Sequence, residues 1–207
     1  EIVQTLGIPN EAGQDEKHFA RPTFMTFSED AIFVADGYVN SRVMKFDHEG
    51  NYLMQWGQKG TLPDDTRPGY FNALHGIDID QDSGRVYISD RMNNRIQVFD
   101  QEGNFLDQWR VGDPPSDVQY LIVSNGAVWI MDGGTTKLLK YDLEGHFLDS
   151  WGTWGTFPGG MWGVHGMTVD EEGNFYISEV NTGRAQKFVP KDGAKPERII
   201  KRVNPSN

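Results

Sequence analysis

Short runs of alternating hydrophobic and polar residues recur along the whole chain, bounded by glycine, asparagine and aspartate. Period-two alternation is typical of half-buried β-strands, and no stretch convincingly shows the 3.6-residue period of an amphipathic helix. The pattern itself repeats, because four segments align with few gaps, starting at Ala31, Arg85, Ala127 and Asn174. The chain is therefore predicted to be all-β and built from a repeated unit of about 40 to 50 residues.

Each repeat predicts a small four-stranded antiparallel sheet. The first, innermost strand is followed by a second strand that ends in an acidic residue. After a turn, the third strand begins with a basic residue, and a fourth, outer strand closes the unit. Because the acid and the base recur in every repeat, they are interpreted as a structural ion pair rather than as catalytic groups. The acids are Asp36, Asp90, Asp132 and Glu179, and the bases are Arg42, Arg95, Lys137 and Arg184.

Units of this size are the blades of β-propellers, here of the NHL type. We predict a single all-β propeller domain over residues 1–207, with four blades at approximately 18–57, 70–110, 115–152 and 160–203. The first seven residues, EIVQTLG, resemble a stray outer strand without its inner strands. Since propellers protect their sheet edges by closing into a ring, we expect further blades or a homo-oligomer to complete it.

Charge and composition narrow the choice of partners. The formal net charge is -11 and the pI about 4.8, so the average field repels phosphate and argues against nucleic acid, including RNA. Cysteine is absent, which leaves histidine and carboxylate as the metal ligands available. No apolar run approaches the roughly 18 to 20 residues that cross a bilayer, so no membrane partner is expected.

Two of the five histidines occupy the same repeat position. His75 and His165 both stand at the start of an innermost strand, whereas His18, His48 and His146 fall in polar turns or before the first blade. In a six-bladed ring, alternate blades are related by three-fold symmetry, so three such histidines would converge as in a three-histidine zinc site. Only two are present, and the alternative is that each His-Gly pair fills the channel and bonds to backbone.

Three motifs occur in order: DGYVNSR from Asp36, PGYFNALH from Pro68 and DRMNNRIQ from Asp90. Together they resemble the lyase domain of peptidylglycine α-amidating enzymes, with the match concentrated between His18 and Phe99. This resemblance implies a six-bladed propeller that binds zinc through three histidines. It also implies a carbon–nitrogen lyase that cleaves a carbinolamide, in a peptide or small-molecule substrate, to an amide and glyoxylate. A secreted or periplasmic location would fit the family.

Residue by residue, the resemblance implies that His75 and His165 are zinc ligands. It implies that Tyr38 is the catalytic tyrosine, acting as a base or as a metal-bound phenolate, and that Arg91 positions either that tyrosine or the substrate carboxylate. These residue types suit the chemistry, because a phenolate takes a proton and a guanidinium holds a carboxylate with two hydrogen bonds. Outside the family pattern, Tyr38 is an exposed turn aromatic and Arg91 a surface charge.

The chain also departs from the family pattern. The family's first zinc histidine and a second active-site arginine would precede Glu1. Gly163 and Val164 replace a Met-Pro pair before His165. Gly166 stands where the family has an aspartate associated with calcium, which argues against a structural calcium site.

Two other functions are weighed against the lyase. One is a non-catalytic NHL scaffold that presents its loops to a protein or ligand. An aromatic-rich segment could form such a contact surface, or could be an inter-blade loop that packs its own rings: Trp151, Trp154, Phe157, Met161 and Trp162. The other is a calcium-dependent sugar lactonase, for which the required set of Glu, Asp and Asn ligands is not found.

Overall fold

The strands of the chain form blade-type antiparallel sheets, as predicted. The structure, a computed structural model, describes residues 1–61, 65–195 and 200. By internal packing the chain divides into two compact units, residues 1–110 (unit 1) and 111–207 (unit 2). In these described ranges no helix has the length and hydrophobicity needed to span a membrane. The assignment of one domain to the whole chain stays a prediction.

Unit 1 contains two four-stranded sheets. Blade 1 consists of β1 (Phe24–Phe27), β2 (Ile32–Asp36), β3 (Arg42–Phe46) and β4 (Tyr52–Trp56) in that order. A short parallel pair follows, β5 (Gln58–Lys59) with β6 (Tyr70–Phe71). Blade 2 consists of β7 (Leu74–Ile79), β8 (Val86–Asp90), β9 (Arg95–Phe99) and β10 (Phe105–Arg110), with a 3₁₀ turn at Arg91–Asn93 between β8 and β9.

Unit 2 contains one four-stranded and one three-stranded sheet. Blade 3 consists of β11 (Val118–Ser124), β12 (Ala127–Asp132), β13 (Lys137–Asp142) and β14 (Phe147–Trp151). Blade 4 has β15 (Val164–Val169), β16 (Phe175–Glu179) and β17 (Arg184–Phe188). Its predicted continuation to residue 203 falls mainly on 196–199 and 201–203, which lie outside the described residues. The prediction of four blades is confirmed.

The second strand of each four-stranded blade is buried along its whole length, which explains why apolar residues dominate it. In unit 1, Phe33 of β2 and Ile88 of β8 are fully covered, and Phe71 of the linker packs with them. Burying such a side chain contributes roughly 1.5–3 kcal/mol. The second strands of blades 3 and 4 likewise contribute to the core of unit 2, where Met131 and Ile177 are fully covered.

An acid–arginine pair closes the inner hairpin of three blades. Each arginine Nε donates to the acid that ends the preceding strand, and all three acids are buried. The pairs are Arg42 with Asp36 at 3.0 Å, Arg95 with Asp90 at 2.8 Å, and Arg184 with Glu179 at 3.0 Å. The predicted structural ion pair is confirmed in blades 1, 2 and 4.

In blade 3 the predicted ion pair was wrong. Lys137 lies opposite Asp132 in the strand register, but its side chain is exposed and no ion pair joins the two among the described residues. Asp132 instead accepts hydrogen bonds from Thr135 Oγ1 at 2.7 Å and Ser116 Oγ at 2.9 Å. A lysine ammonium lacks the planar fork of donors with which arginine joins a carboxylate and several carbonyls at once.

The buried acids also fix the loop that leads into each inner strand. Asp36 accepts from the backbone N–H of Ala20 at 2.9 Å, and Asp90 from that of Asn72 at 2.7 Å. The Arg42 guanidinium adds hydrogen bonds to loop carbonyls, including that of His18 at 2.7 Å. Each acid therefore holds both its own hairpin and the loop that precedes the inner strand.

The stray outer strand predicted for EIVQTLG was wrong. Residues 1–7 contain no strand, and their first five residues are exposed. A strand needs a neighbouring strand for its backbone hydrogen bonds, and the described residues supply none beside this segment. The segment runs along blade 1, where Gln4 Nε2 donates to the His48 carbonyl at 3.1 Å.

Candidate functional site

His75 lies in a β-bulge at the start of β7. Leu74 pairs with Asp90 and Ile77 with Ile88, so His75 and Gly76 together face one residue of β8. The β15 strand has the same irregularity between Val164 and Gly166, which leaves His165 as the extra residue. A bulge bends the strand and redirects a side chain, and bulges are over-represented next to active sites.

The strand register identifies the residue equivalent to His75 in every blade. In each blade, the residue two positions before the acid pairs with one residue of the inner strand. The residue equivalent to His75 lies two positions before this inner-strand residue. The four equivalent residues are Thr23, His75, Gln119 and His165. Histidine thus occupies blades 2 and 4, and the register selects Thr23 over Pro22 in blade 1.

Tyr38 reaches β7 because its hairpin approaches that strand closely. A Cβ atom on Gly37 would lie 1.6 Å from the Leu74 carbonyl oxygen, so only glycine fits there. On the other side, the Tyr38 N–H faces the Arg21 carbonyl at 3.5 Å. The turn between β2 and β3 is thereby held against the strand that carries His75.

Tyr38 and His75 form a direct polar contact. The Tyr38 Oη atom lies 2.9 Å from His75 Nε2, and the two rings meet edge to face at 89° with centroids 5.4 Å apart. Phe24 packs against the same imidazole with a centroid distance of 5.4 Å. His75 is 1% exposed and Tyr38 38% exposed. A buried imidazole behind an accessible phenol is an arrangement that can exchange a proton with a bound molecule.

Arg91 lies at the same end of blade 2 as His75. It directly follows Asp90, whose register partner is Leu74, the residue before His75. Burial raises the pKa of Asp90, while hydrogen bonds from Asn72 and Asn93 and the charge of Arg95 oppose that rise. Of the four predicted site residues, the structure therefore joins Tyr38 to His75 and places Arg91 at the same sheet end.

His165 belongs to unit 2, where it is half-buried at the start of β15. The loop before it is held by Glu179, which accepts from the Trp162 N–H at 2.9 Å, as Asp90 holds the loop before His75. The two histidines therefore have the same local setting, each three residues after a backbone N–H bound to the acid of its blade.

Sequence reasoning missed Arg21 and Phe24. The Arg21 guanidinium carbon lies 4.9 Å from the centre of the Tyr38 ring, and Phe24 covers His75. Their place in the repeat could have revealed them, because both lie within two residues of Thr23, the blade 1 residue equivalent to His75. From the sequence alone, either Pro22 or Thr23 could be the blade 1 residue equivalent to His75.

The described residues do not by themselves fit a zinc centre. Residues 1–61, 65–195 and 200 contain no group of three or more His, Cys, Asp or Glu side chains placed to hold a metal ion. A catalytic zinc takes three protein ligands and leaves one position open. In addition, Nε2 of His75 is hydrogen-bonded to Tyr38, so this nitrogen would have to change partner to bind a metal.

The aromatic-rich segment of unit 2 divides into buried and exposed rings. Met161 is fully buried, and Trp151 packs against Phe175 and Phe188 at centroid distances of 5.8 and 5.3 Å. The other three rings are accessible: Trp154 at 65%, Phe157 at 55% and Trp162 at 40%. The segment therefore packs part of its side chains into the core, and its role as a contact surface stays a prediction.

A protein-family model described as a 6-bladed beta-propeller matches residues 12–121, more than half of the chain. The chain belongs to the six-bladed β-propeller family. The match covers blades 1 and 2, with Tyr38, His75 and Arg91, and ends within β11. The sheets of the described residues are the blades of this family.

Curated relatives with similar sequences include amidating enzymes, which confirms the resemblance stated from the motifs. Peptidyl-glycine alpha-amidating monooxygenase A of Xenopus laevis is 42% identical over 106 residues, 50% of this chain and 11% of that protein. Peptidyl-alpha-hydroxyglycine alpha-amidating lyase 1 of Drosophila melanogaster is 28% identical over 211 residues, 93% of this chain and 39% of that protein. NHL repeat-containing protein 3 of Homo sapiens is 34% identical over 140 residues, 60% of this chain and 38% of that protein. The chain thus spans between about a tenth and two fifths of these relatives.

Solved structures agree on the fold. Virginiamycin B lyase from Staphylococcus aureus superimposes with a TM-score of 0.59 at 14% identity, covering 80% of this chain and 50% of that one. A streptogramin B lyase structure gives the same TM-score at 15% identity, covering 87% of this chain and 52% of that one. At this identity the likeness concerns the fold alone.

Proposed function

We propose that the chain carries the tyrosine–histidine part of a peptidyl-α-hydroxyglycine α-amidating lyase site. The observation that carries the proposal is the 2.9 Å contact between Tyr38 Oη and His75 Nε2. It joins two residues that the motif resemblance selects independently, one from each of two neighbouring blades. Relatives named as amidating lyases support the same reaction class.

In the proposed reaction, the substrate is a carbinolamide whose carbon bears both a hydroxyl group and an amide nitrogen. The Tyr38 phenol passes its proton to His75 Nε2, and the resulting phenolate takes the hydroxyl proton of the substrate. The C–O bond becomes a carbonyl, and the C–N bond breaks with its electron pair going to nitrogen. The nitrogen then receives a proton from Tyr38, which gives an amide and glyoxylate without an oxidant or a reductant. His75 holds the phenol and shares its proton.

Arg91 is proposed to position the substrate carboxylate or the Tyr38 phenol. Its place directly after Asp90, at the end of blade 2 where His75 stands, is suited to either role. A guanidinium recognises a carboxylate through two parallel hydrogen bonds, which fixes the orientation of the bound acid as well as its affinity.

Zinc, with His75 and His165 as ligands, remains a proposal that requires a third ligand from outside the described residues. Further blades or a second copy of the chain, the partners proposed to complete the ring, would supply it. The proton transfers proposed for Tyr38 and His75 use only the chain's own residues. Calcium gains no support, because glycine occupies position 166.

The non-catalytic scaffold has one observation in its favour, the exposed rings of Trp154, Phe157 and Trp162. A contact surface there would not depend on Tyr38 or His75. Substitution of His75 therefore distinguishes the two functions, because it should abolish lyase activity but leave binding by a scaffold unchanged.

The experiment is product analysis with the protein at its natural length. A peptide ending in α-hydroxyglycine is incubated with the protein, with and without added zinc, and peptide amide and glyoxylate are quantified. The proposal expects equimolar products, lost in His75→Gln and retained in His146→Gln, a control histidine in an exposed turn bound to Asp142. Absence of both products, or their unchanged formation by His75→Gln, would refute the lyase assignment.

A further inference from the structure

Arg21 places an accessible cation against the face of Tyr38. Its guanidinium carbon lies 4.9 Å from the ring centre, and its side chain is exposed. Within the described part of the chain, this side chain makes no ion pair and no hydrogen bond. By contrast, the neighbouring arginines Arg42, Arg67 and Arg95 each pair with an aspartate. Arg21 therefore keeps its hydrogen-bond donors available to a bound molecule.

The backbone of Arg21 has a left-handed conformation. Its φ is +63°, and the equivalent residues of blades 2 and 4, Ala73 and Gly163, have φ values of +52° and +69°. The Ala20 N–H is bound by the buried carboxylate of Asp36, and the Arg21 carbonyl faces the Tyr38 N–H. Because this conformation recurs one residue after the acid-bound N–H in three blades, it belongs to the blade architecture, and these contacts fix the point at which the Arg21 side chain leaves the backbone.

The charge of this site is opposite to that of the chain as a whole. The chain has a formal net charge of -11, so multiply charged anions such as phosphate are repelled on average. A single carboxylate meets less of that repulsion, and its two oxygens match the guanidinium fork. The unpaired guanidinium beside Tyr38 thus favours a small monocarboxylate.

We propose that Arg21 is a specificity-determining residue that binds the carboxylate of a small N-acylglycine-type ligand over the Tyr38 ring, in addition to Arg91. The choice of ligand class rests on the proposed function. Binding itself needs no turnover, so it can be measured separately from the lyase reaction.

The test is a calorimetric titration of the protein with N-acetylglycine and, separately, with its uncharged analogue N-acetylglycinamide. We expect the wild type to bind the acid at least tenfold more tightly than the amide. Arg21→Gln and Arg21→Gly should weaken this preference while binding of the amide stays unchanged. The glycine variant adopts a φ of +63° without strain, so a loss of affinity there cannot be attributed to a misfolded loop.

Lys59→Gln is the matched control, since it removes one positive charge from an exposed position in the same unit. It should keep the preference for the acid. Equal affinity of the wild type for acid and amide, or an acid preference that is undiminished in both Arg21 variants, would overturn the inference. An Arg21-dependent acid preference in a protein that forms no glyoxylate would sustain the inference and remove the proposed lyase reaction instead.

Discussion

Tyr38 and His75 come from neighbouring blades and meet through a 2.9 Å contact between the phenol oxygen and Nε2 of the imidazole. Three backbone features bring them together. Gly37 lets the blade 1 turn approach β7, the bulge redirects His75, and Asp90 holds the loop three residues before it through the Asn72 N–H. The site is thus a consequence of how two blades pack.

Gly37→Ala is expected to separate the two residues. The added methyl would overlap the Leu74 carbonyl, so the turn that carries Tyr38 must move away from β7. Overpacking of this kind destabilises by about 1–3 kcal/mol. Urea unfolding measures the change in stability, and the NMR shift of the His75 ring reports whether the contact with Tyr38 is lost.

Gly112→Ala is the control for that substitution, because its added methyl would meet nothing closer than 3.4 Å. It should leave both the unfolding free energy and the His75 ring signal unchanged. A Gly37→Ala protein as stable as the wild type, with the same His75 signal, would show that close approach at Gly37 does not hold the site.

Substitution of the basic residue that begins the third strand should reduce stability far more in blade 1 than in blade 3. Arg42 is 2% exposed and pairs with fully buried Asp36, so Arg42→Met leaves a buried carboxylate without its cation. Removing one partner of such a pair costs about 3–5 kcal/mol. Lys137→Met removes an exposed cation without an ion pair and should change stability by less than about 0.5 kcal/mol.

Urea denaturation of the two variants under identical conditions provides the comparison. Equal losses in Arg42→Met and Lys137→Met would mean that the ion pair does not stabilise its hairpin. A large loss in Lys137→Met alone would show that Asp132 depends on its lysine despite the hydrogen bonds from Thr135 and Ser116.

The blades were predictable because strand period, turn residues and the acid–base repeat all indicate the same unit. The equivalent residues at the start of the inner strands were harder to predict from the sequence, because a bulge adds a residue without a sequence signature. This explains why Gln119, the extra residue of β11, was located only near Val118. In blade 1, β1 pairs with β2 without a bulge, and Pro22 and Thr23 both precede its first paired residue. Pairing with the acid's strand resolves both.

The candidate site was predictable only where a motif marks it. Tyr38 and His75 lie in recognisable motifs, but their contact depends on packing between blades, which no local pattern encodes. Arg21 lies outside the motifs, and its closeness to Tyr38 depends on the packing of the loop before β1 against the turn between β2 and β3. Lys137 shows the opposite error, since a conservative-looking base at a repeat position does not make the contact that arginine makes.

Blade 4 should lose stability in acid through Asp170. Hydrogen bonds from the Asn174 side chain, with those from backbone N–H groups and Tyr176, lower the pKa of Asp170 from 3.8 to about 2. Between these values the unfolded chain takes up a proton that the folded chain does not bind. The contribution of Asp170 is therefore present above pH 4 and is lost as the pH falls toward 2.

Urea midpoints measured from pH 5 to pH 2 test this linkage. The difference between wild type and Asp170→Asn should be largest above pH 4 and should shrink toward pH 2. Asp192→Asn, at an exposed turn of the same unit, should run parallel to the wild type. A constant difference between Asp170→Asn and wild type across the range would rule out the proposed protonation.

The most direct test of the central claim, that Tyr38 on His75 is the reacting group of a lyase site, is the rate of glyoxylate release by Tyr38→Phe. This variant keeps the ring and loses only the hydroxyl, so it should fold like the wild type with a stability change of about 1 kcal/mol. We predict a rate at least about 100-fold below wild type, with Tyr52→Phe, a β4 residue packed on Phe46, unchanged. A Tyr38→Phe protein that releases glyoxylate at the wild-type rate would contradict the account.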